Sequence, residues 1–548
     1  MIYIIVCFSL FLGLVYFLLT YKNPSKQEIY FRLALAGVVI LVIFVRTYRI
    51  DSLQGLDLDE AMGGINSWSI ANYGVDFHLV HNPVYLYAWG SGMNILYPLL
   101  TVPFVKVLGL SVLSYRLPMV LLSIASSLLL IISFLYAKFS YRKVLIYSII
   151  ILLSPGLIIP SRWAVESNIF PILLTFILSF FIFLLYAQSR KVKEIWYWLI
   201  IFTLSISAYA YSNNWLFLFA FVLLFFIWSY RKLFHSIKII LLSLITLFFI
   251  DWPLIAFIYV NYVSHKQLTI CGMTITKLAE SRGNSQFIIQ SGKPILESIA
   301  YNIFETFKVL IQGNDGLLKN GLPGIGLFYP LMVSFAIIGI IYFFEDSKNM
   351  LDQFMFIMLV SNIFTVMLIS PNFTHLNALI LPILYFESKG VMSVFSSPFA
   401  IRIFLMFFFA LFSVFSYEYV HIYHSQLVNG NHESPLELQK MIRKANSSNR
   451  PIYLVTGDET YTGIYTVVLF AKPMSPYEFN SKTVNVSPAA FTPYTTFGKY
   501  SFVKDLPQVM KGDSNILIVK RTVNVNKFMK EHKDYHLYRG QYYDYIEK

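Results

Sequence analysis

Long apolar runs separated by short polar loops fill most of the chain as far as residue 417. A helix needs about 20 residues to cross the hydrocarbon core of a bilayer. The pattern therefore predicts twelve membrane helices, at 2–21, 30–47, 116–136, 143–160, 169–187, 195–211, 215–230, 237–258, 325–344, 353–370, 375–392 and 400–417. Pro98, Pro103 and Lys106 interrupt another apolar run, 93–110, which we expect to lie at the interface or to re-enter the membrane.

The basic residues decide how these helices are oriented. If 93–110 does not span, all the basic loops fall on one side, which the positive-inside rule identifies as cytoplasmic. The first run, 2–21, has its basic residues after it and none before it, so we expect a retained helix and no cleaved signal peptide. Both termini and the long loops 48–115 and 259–324 are then extracytoplasmic.

The residues after 417 have a different composition, richer in charge and without a run long enough to span. Short apolar runs at 451–457, 466–471 and 515–521 predict strands, and 433–446 and 506–512 predict helices. We therefore expect two domains. Residues 1–417 form an all-α polytopic membrane domain, and residues 418–548 form a small extracytoplasmic α/β domain.

Composition excludes a soluble protein. Hydrophobic residues make up 57% of the 548 residues, charged residues only 13%, and the mean hydropathy is +0.62. The net charge of +13 is explained by cytoplasmic loops rather than by nucleic-acid binding. Cys7 and Cys271 lie in very different surroundings, so a disulfide framework is not expected. The partners are the lipid bilayer and no nucleic acid.

Candidate chemistry concentrates in the predicted outer loops, whereas the centres of the spans are almost free of ionisable residues. This distribution favours a reaction at the outer leaflet over transport through the bilayer, because transporters carry ionisable groups in mid-membrane. The richest cluster is Asp57, Asp59 and Glu60, and a plain helix N-cap with an acidic first turn explains it equally well. His78, His81 and Asn82 follow in the same loop, where a solvated surface histidine is the simpler interpretation.

Other outer loops contribute further polar residues. Arg162 and Glu166 are either a substrate-binding pair or a simple ion pair four residues apart. Arg116 either binds a ligand or anchors its helix at the membrane surface. The remaining candidates occupy two more outer segments: Tyr209, Tyr211, Asn213 and Asn214, and His375 with Asn377.

Taken together, these motifs resemble the GT-C superfamily of membrane glycosyltransferases, and most closely the protein O-mannosyltransferase and lipid A aminoarabinose transferase group (glycosyltransferase family 39-like). The resemblance covers about residues 30–420. It rests on Leu58-Asp59-Glu60-Ala61, Asn82-Pro83 to Trp89, Gly109 to Pro118, Ser161-Arg162-Trp163-Ala164 with Glu166, and Asn372, His375 and Pro382. The chain departs from the family in Glu166, where Asp is usual, in Asn82 and in His375.

The resemblance implies a plasma-membrane enzyme that transfers a monosaccharide from a polyprenyl-phosphate donor to an extracytoplasmic acceptor with inversion. The acceptor would be an envelope polysaccharide, teichoic acid, glycolipid or protein. Asp59 would act as the base, with Glu60 beside it in the catalytic centre, while Arg116 and Arg162 would stabilise the phosphate. The resemblance implies no certain cofactor and leaves the need for a divalent metal open. Two alternatives are a transporter or polymerase of lipid-linked saccharides and a structural scaffold.

Overall fold

The computed structural model describes residues 26–53, 55–88, 92–278, 294–317, 319–423, 435–457, 463–482, 496–507 and 514–548. The predicted helix 2–21 lies outside these residues. In chain order, the helices up to residue 259 are α1 (Lys26–Thr47), α2 (Leu58–Tyr73), α3 (Leu96–Leu108), α4 (Val112–Tyr136), α5 (Tyr141–Leu152), α6 (Pro155–Arg162), α7 (Ile169–Tyr186), α8 (Arg190–Ala208), α9 (Trp215–Ser229) and α10 (Ile237–Tyr259).

The second half of the chain continues with helices and then changes to a mixed fold. Its helices are α11 (Ile295–Gln312), α12 (Met332–Glu345), α13 (Met350–Val360), α14 (Ile363–Leu368), α15 (Asn377–Val394), α16 (Pro398–Glu418), α17 (Pro435–Ala445), α18 (Ile464–Ala471), α19 (Pro476–Lys482) and α20 (Asn526–Glu531). The strands of the whole chain are β1 (Tyr85–Leu86), β2 (Met93–Asn94), β3 (Leu268–Ile270), β4 (Met273–Ile275), β5 (Ile452–Val455), β6 (Thr496–Phe497), β7 (Tyr500–Val503), β8 (Ile516–Lys520), β9 (His536–Arg539) and β10 (Tyr543–Glu547).

The chain divides into two compact units. Unit 1 comprises residues 1–50, 119–251 and 286–423, and unit 2 comprises residues 51–118, 252–285 and 424–548. Unit 2 thus combines the C-terminal segment with much of the two long loops that the charge pattern places on the same side. Its third segment begins at His424, close to the predicted boundary after residue 417.

Seven helices in the described part of the chain are long and apolar enough to cross a membrane. They are Glu28–Thr47, Val112–Tyr136, Glu166–Tyr186, Ser212–Phe234, Ile237–Ser264, Met350–Leu368 and Pro398–His421. The bent pair α5 and α6, which meet at 52°, makes an eighth span if it is counted as one. The chain is therefore a multi-span membrane protein.

Three other predicted spans are helices that do not meet the same criteria. The segment 195–211 lies in α8, which begins with a strongly charged turn, and 325–344 contains α12, which has only 14 residues. The segment 375–392 corresponds to α15, which carries Glu387 and Lys389. The full number of twelve spans stays a prediction. The proline-interrupted run 93–110 forms α3, whose 13 residues extend only about 20 Å.

The C-terminal part of unit 2 is built on a six-stranded sheet with the order β6-β7-β5-β8-β10-β9. β5 is parallel to both β7 and β8, and the other pairs are antiparallel. The predicted strands at 451–457 and 515–521 are β5 and β8, and the helix predicted at 433–446 is α17. Most of the helix predicted at 506–512 falls on residues that the structure does not describe.

The strand predicted at 466–471 is wrong, because this segment is helix α18. All eight residues of α18 are buried, and a short apolar run buried on every side shows the same pattern as a buried strand. α18 packs against α2, also in unit 2. The contact is so close that a Cβ atom on Gly64 would lie 2.5 Å from the Phe470 ring.

The β3–β4 hairpin offers a direct test of the predicted topology. Cys271 lies at its turn and is a free, exposed cysteine. We expect a membrane-impermeant maleimide to label Cys271 in intact cells, since loop 259–324 is predicted to be extracytoplasmic. Labelling of the variant Cys271→Ser measures the background signal from Cys7. Labelling that appears only after the cells are permeabilised would show that the predicted topology is inverted.

Candidate functional site

The acidic cluster at the start of α2 forms a capping box. Asp57 is the N-cap, and its Oδ1 accepts a hydrogen bond from the Asp59 backbone N–H at 2.9 Å. Glu60 Oε2 accepts in return from the Asp57 backbone N–H at 3.1 Å. This reciprocal arrangement satisfies backbone donors that every helix N-terminus otherwise leaves without partners. The N-cap interpretation of the cluster is therefore confirmed for Asp57 and Glu60.

Glu60 also forms a buried ion pair with Arg116 at the start of α4. Nε of Arg116 donates to Glu60 Oε1 at 2.7 Å and Nη2 donates to Oε2 at 2.6 Å, so the pair is bidentate. The exposed fractions of the two side chains are 0% and 1%. Arg116 Nη2 donates in addition to the carbonyl of Gly55. These contacts hold the first turn of α2, the start of α4 and the segment before α2 together within unit 2.

Asp59 differs from its two acidic neighbours. Its side chain is half-buried, and it lies in the first turn of α2, where the helix dipole stabilises a negative charge. Glu60 is fully buried in its pair, and Asp57 uses its carboxylate for capping. Asp59 stays the predicted base among the three acids.

The loop after α2 contains a buried carboxylate that the sequence motifs do not mark. Asp76 is fully buried, and its Oδ1 accepts from the backbone N–H groups of His78 at 2.9 Å and Val80 at 2.8 Å. Its Oδ2 is buried without a hydrogen-bond partner in the described structure. Burial raises the pKa of Asp76 to about 6, although the two backbone hydrogen bonds oppose this shift.

His78 is therefore part of a tight turn rather than a solvated surface residue. Its ring meets Tyr87 edge to face at 5.7 Å, and its Nδ1 is buried and unpartnered among the described residues. Burial lowers the pKa of His78 to about 4, so the imidazole is neutral near pH 7. His81 and Asn82 are exposed, and the Asn82 side chain donates to the carbonyl of Gly272 in the β3–β4 turn at 3.1 Å.

The raised pKa of Asp76 predicts a pH-dependent stability. Because the native pKa lies above the unfolded value, its contribution is greatest below about pH 4 and is lost as the pH rises through 6. Asp76→Asn keeps an oxygen for both backbone bonds and carries no charge. We expect this variant to be more stable than the parent above pH 6, by up to about 3 kcal/mol, and equal to it near pH 4.

Thermal unfolding of the two purified proteins between pH 4 and 8 measures this difference. His78 is present in both proteins, so its own titration cancels. A difference in unfolding between the parent and Asp76→Asn that does not change with pH would contradict the raised pKa of Asp76.

In unit 1, Arg162 caps the end of α1. Its Nη1 donates to the carbonyl of Val45 at 2.6 Å and its Nη2 donates to the carbonyl of Tyr48. The side chain is buried, and its guanidinium lies 5.6 Å from the Tyr419 ring centroid. The predicted pairing of Arg162 with Glu166 stays a prediction. Both terminal nitrogens bind neutral carbonyls, and Arg162 thus keeps its full positive charge.

Three polar loops of unit 1 meet at Asn377, at the start of α15. Its Nδ2 donates to the carbonyl of Ser167 at 2.9 Å, and its Oδ1 accepts from Asn214 Nδ2 at 2.8 Å. Ser167 belongs to the turn Glu166–Asn168, in which Glu166 is also buried, and Asn214 belongs to the turn Ser212–Asn214. Loops that the charge pattern places on one side of the membrane therefore lie at the same end of this unit.

The remaining candidate residues lie in these loops or next to them. Asn213 Nδ2 donates to the Tyr211 hydroxyl at 2.9 Å, and the Tyr211 ring lies 6.3 Å from that of His375. His375 Nδ1 is 2.6 Å from the carbonyl of Ser370, which fixes the ring within its own loop. The Tyr209 hydroxyl donates to the carbonyl of Ile250 in α10 at 2.7 Å. Spacing alone did not indicate Ser167 as a member of this cluster.

The need for a divalent metal stays open. Among the residues that the structure describes, no three His, Cys, Asp or Glu side chains are grouped so as to hold a metal ion. Glu60 and Asp57 already serve as partners of Arg116 and of the backbone. We therefore derive no step of the reaction through a metal.

Comparison with solved structures identifies the fold. The chain is similar to the crystal structure of ArnT from Cupriavidus metallidurans in the apo state, with a TM-score of 0.53 and 12% identity over 95% of this chain and 98% of that chain. The structure of the same protein bound to undecaprenyl phosphate gives a TM-score of 0.54 and 11% identity over 94% and 98%. No protein-family model and no curated protein matched the sequence. The similarity shows that the chain has an ArnT-like fold, which agrees with the fold that the resemblance implies.

Proposed function

We propose that this chain is a glycosyltransferase that moves a monosaccharide from a polyprenyl phosphate to an extracytoplasmic acceptor. The observation that carries the proposal is the fold. It matches ArnT over nearly the full length of both chains, and one of those ArnT structures contains undecaprenyl phosphate. A lipid-linked donor also suits a chain whose polar loops lie at one end of a helical membrane unit.

Asp59 is the proposed general base. Its carboxylate accepts the proton of the acceptor hydroxyl while the hydroxyl oxygen attacks the anomeric carbon. The bond from that carbon to the phosphate oxygen breaks, and the polyprenyl phosphate leaves with the electron pair. A single displacement of this kind inverts the anomeric configuration. Glu60 and Asp57 support the reaction by fixing the first turn of α2 that carries Asp59.

The leaving phosphate needs a positive charge rather than a proton. Arg116 is poorly suited to this role, because Glu60 neutralises it in a buried bidentate pair. Arg162 is better suited, since its partners are uncharged carbonyls and its Nε is buried without a partner in the described chain. We therefore assign the stabilisation of the phosphate to Arg162.

His78, His81, Asn82, Glu166, Tyr209, Asn213, His375 and Asn377 are proposed to shape the donor and acceptor sites. Of these, His81 and Asn82 present exposed side chains, whereas Asn377 acts indirectly by holding neighbouring loops. The active site and the C-terminal part of unit 2 are proposed to be extracytoplasmic. The acceptor is an envelope polysaccharide, teichoic acid, glycolipid or protein.

Mass spectrometry of envelope glycans tests the proposal in the native host. Cells that contain the protein should carry a monosaccharide substitution that is absent from cells without it. Cells that produce Asp59→Asn at the same level should lack it too. A transporter would move the lipid-linked sugar without altering it, whereas a transferase releases polyprenyl phosphate. Glycans identical in all three strains would contradict both functions.

A further inference from the structure

Unit 1 contains a second group of charged side chains, about 18 Å along α15 from Asn377. Lys389 of α15 donates to Asp352 Oδ2 at 2.5 Å, and Tyr385, one turn earlier, donates to Asp352 Oδ1. Asp352 lies in the first turn of α13, and Lys143 lies in the first turn of α5. The group is therefore close to helix ends, where lipid headgroups surround a membrane protein.

Lys143 has no hydrogen-bond acceptor within this group. Both carboxylate oxygens of Asp352 already accept hydrogen bonds from other side chains. The Lys143 ammonium lies 4.0 Å from the centroid of the Phe139 ring and 5.3 Å from that of Tyr147, and among the described residues it has no hydrogen-bond partner. Its side chain is half-buried. An ammonium group has three N–H donors, so those of Lys143 remain available to an acceptor from outside the described chain.

The charges of the group do not balance. The charged side chains that act on Lys143 are Asp352, which attracts it, and Lys389, which repels it. Arg142 adds a third positive charge next to Lys143 in the chain, and its guanidinium donates to two uncharged backbone carbonyls just after α15. Three basic side chains thus share one carboxylate, and the group attracts an anion.

Position and chemistry together select a lipid phosphate. Phosphate oxygens accept strong hydrogen bonds from ammonium groups. Basic sites between membrane helices on the cytoplasmic side bind anionic headgroups, and the charge pattern places the loop before Lys143 on that side. We propose that Lys143 and Lys389 bind the phosphate of an anionic phospholipid of the inner leaflet, between α5, α13 and α15. A zwitterionic lipid brings an ammonium group of its own, which the two lysines repel. This binding does not depend on the transfer reaction.

Native mass spectrometry of the full chain tests the proposal. The protein is released from detergent micelles that contain increasing amounts of phosphatidylglycerol or phosphatidylcholine, and the dissociation constant of the first bound lipid is measured. We expect phosphatidylglycerol to bind about tenfold more tightly than phosphatidylcholine. Lys143→Gln should remove this difference because it has no charge, whereas Lys143→Arg should retain it.

Lys191→Gln is the matched control. It removes the same charge from an exposed position in the first turn of α8, on the same predicted side of the membrane, and it should bind phosphatidylglycerol like the parent. Equal losses in Lys191→Gln and Lys143→Gln would show that only diffuse charge attracts the lipid and would overturn the proposal. Equal binding of the two lipids by the parent would overturn it as well. Displacement of phosphatidylglycerol by an equal concentration of inorganic phosphate would assign the site to a free anion instead.

A second measurement uses the parent protein and so does not depend on whether a variant folds. Phosphatidylglycerol with a photoreactive headgroup is added to phosphatidylcholine nanodiscs that contain the full chain, and the labelled peptides are identified after illumination. We expect label on the start of α5 and on the end of α15. Label that is confined to other helices would overturn the proposal.

Discussion

Asp59→Asn should lower the rate of sugar transfer by about 10²–10⁴-fold, the usual contribution of a general base. The amide of Asn has nearly the same shape as the carboxylate but cannot take up the proton of the acceptor hydroxyl. The side chain is half-buried, so the variant should fold normally. Release of polyprenyl phosphate by the purified protein, with donor and acceptor supplied, measures the effect. The thermal unfolding temperature shows whether the fold is retained.

Asp57→Asn is the matched control for this prediction. It makes the same chemical change two residues away, and Asn caps a helix about as well as Asp does. Its Oδ1 can still accept from the Asp59 backbone N–H. We expect transfer within a few-fold of the parent. Equal losses in the two variants would mean that the first turn of α2 needs its charge rather than a base at residue 59.

Breaking the buried Glu60–Arg116 pair should produce the largest loss of stability. Glu60→Leu leaves Arg116 buried and charged without its carboxylate, and an uncompensated charge of this kind costs about 3–5 kcal/mol. Arg190→Ala breaks an exposed pair with Glu194, in which the side chains are 75% and 38% exposed. Such a pair contributes about 0–1 kcal/mol. Unfolding of the detergent-solubilised proteins compares the two free energies.

The double variant Glu60→Leu with Arg116→Met separates the ion pair from its surroundings. Removing both charges leaves no uncompensated charge, so the double variant should regain most of the stability that Glu60→Leu loses. The Gly55 carbonyl and the Asp57 backbone N–H lose their bonds to Arg116 and Glu60, and these two bonds are not replaced. A double variant as unstable as Glu60→Leu alone would show that packing, rather than the charge pair, accounts for the loss.

The sequence predicts local features of this protein better than long-range ones. The cluster Asp57, Asp59 and Glu60 predicts an N-cap with an acidic first turn, and the structure contains one at the start of α2. The partner of Glu60 lies 56 residues further along the chain, and Arg116 has an equally good explanation as a surface anchor when only the sequence is considered. Tertiary folding determines which partner a charged residue finds.

Two other differences between the predicted and the observed structure also arise from tertiary contacts. The segment of α18 is short, apolar and rich in β-branched residues, a composition that does not separate a buried helix from a buried strand. Asp76 has no motif around it, because its importance comes from an environment that its neighbours in sequence do not reveal. The fold class, by contrast, depends on the number and the hydrophobicity of the long apolar runs, and both are visible in the sequence.

Asn377 links two other loops through a single planar amide, with the donor on one side and the acceptor on the other. Aspartate would lose the donor and leucine would lose both, so few side chains can take this position without releasing a loop. The turns before α7 and α9 are therefore tied to the start of α15 by one side chain. Replacing this single residue would free both turns at once.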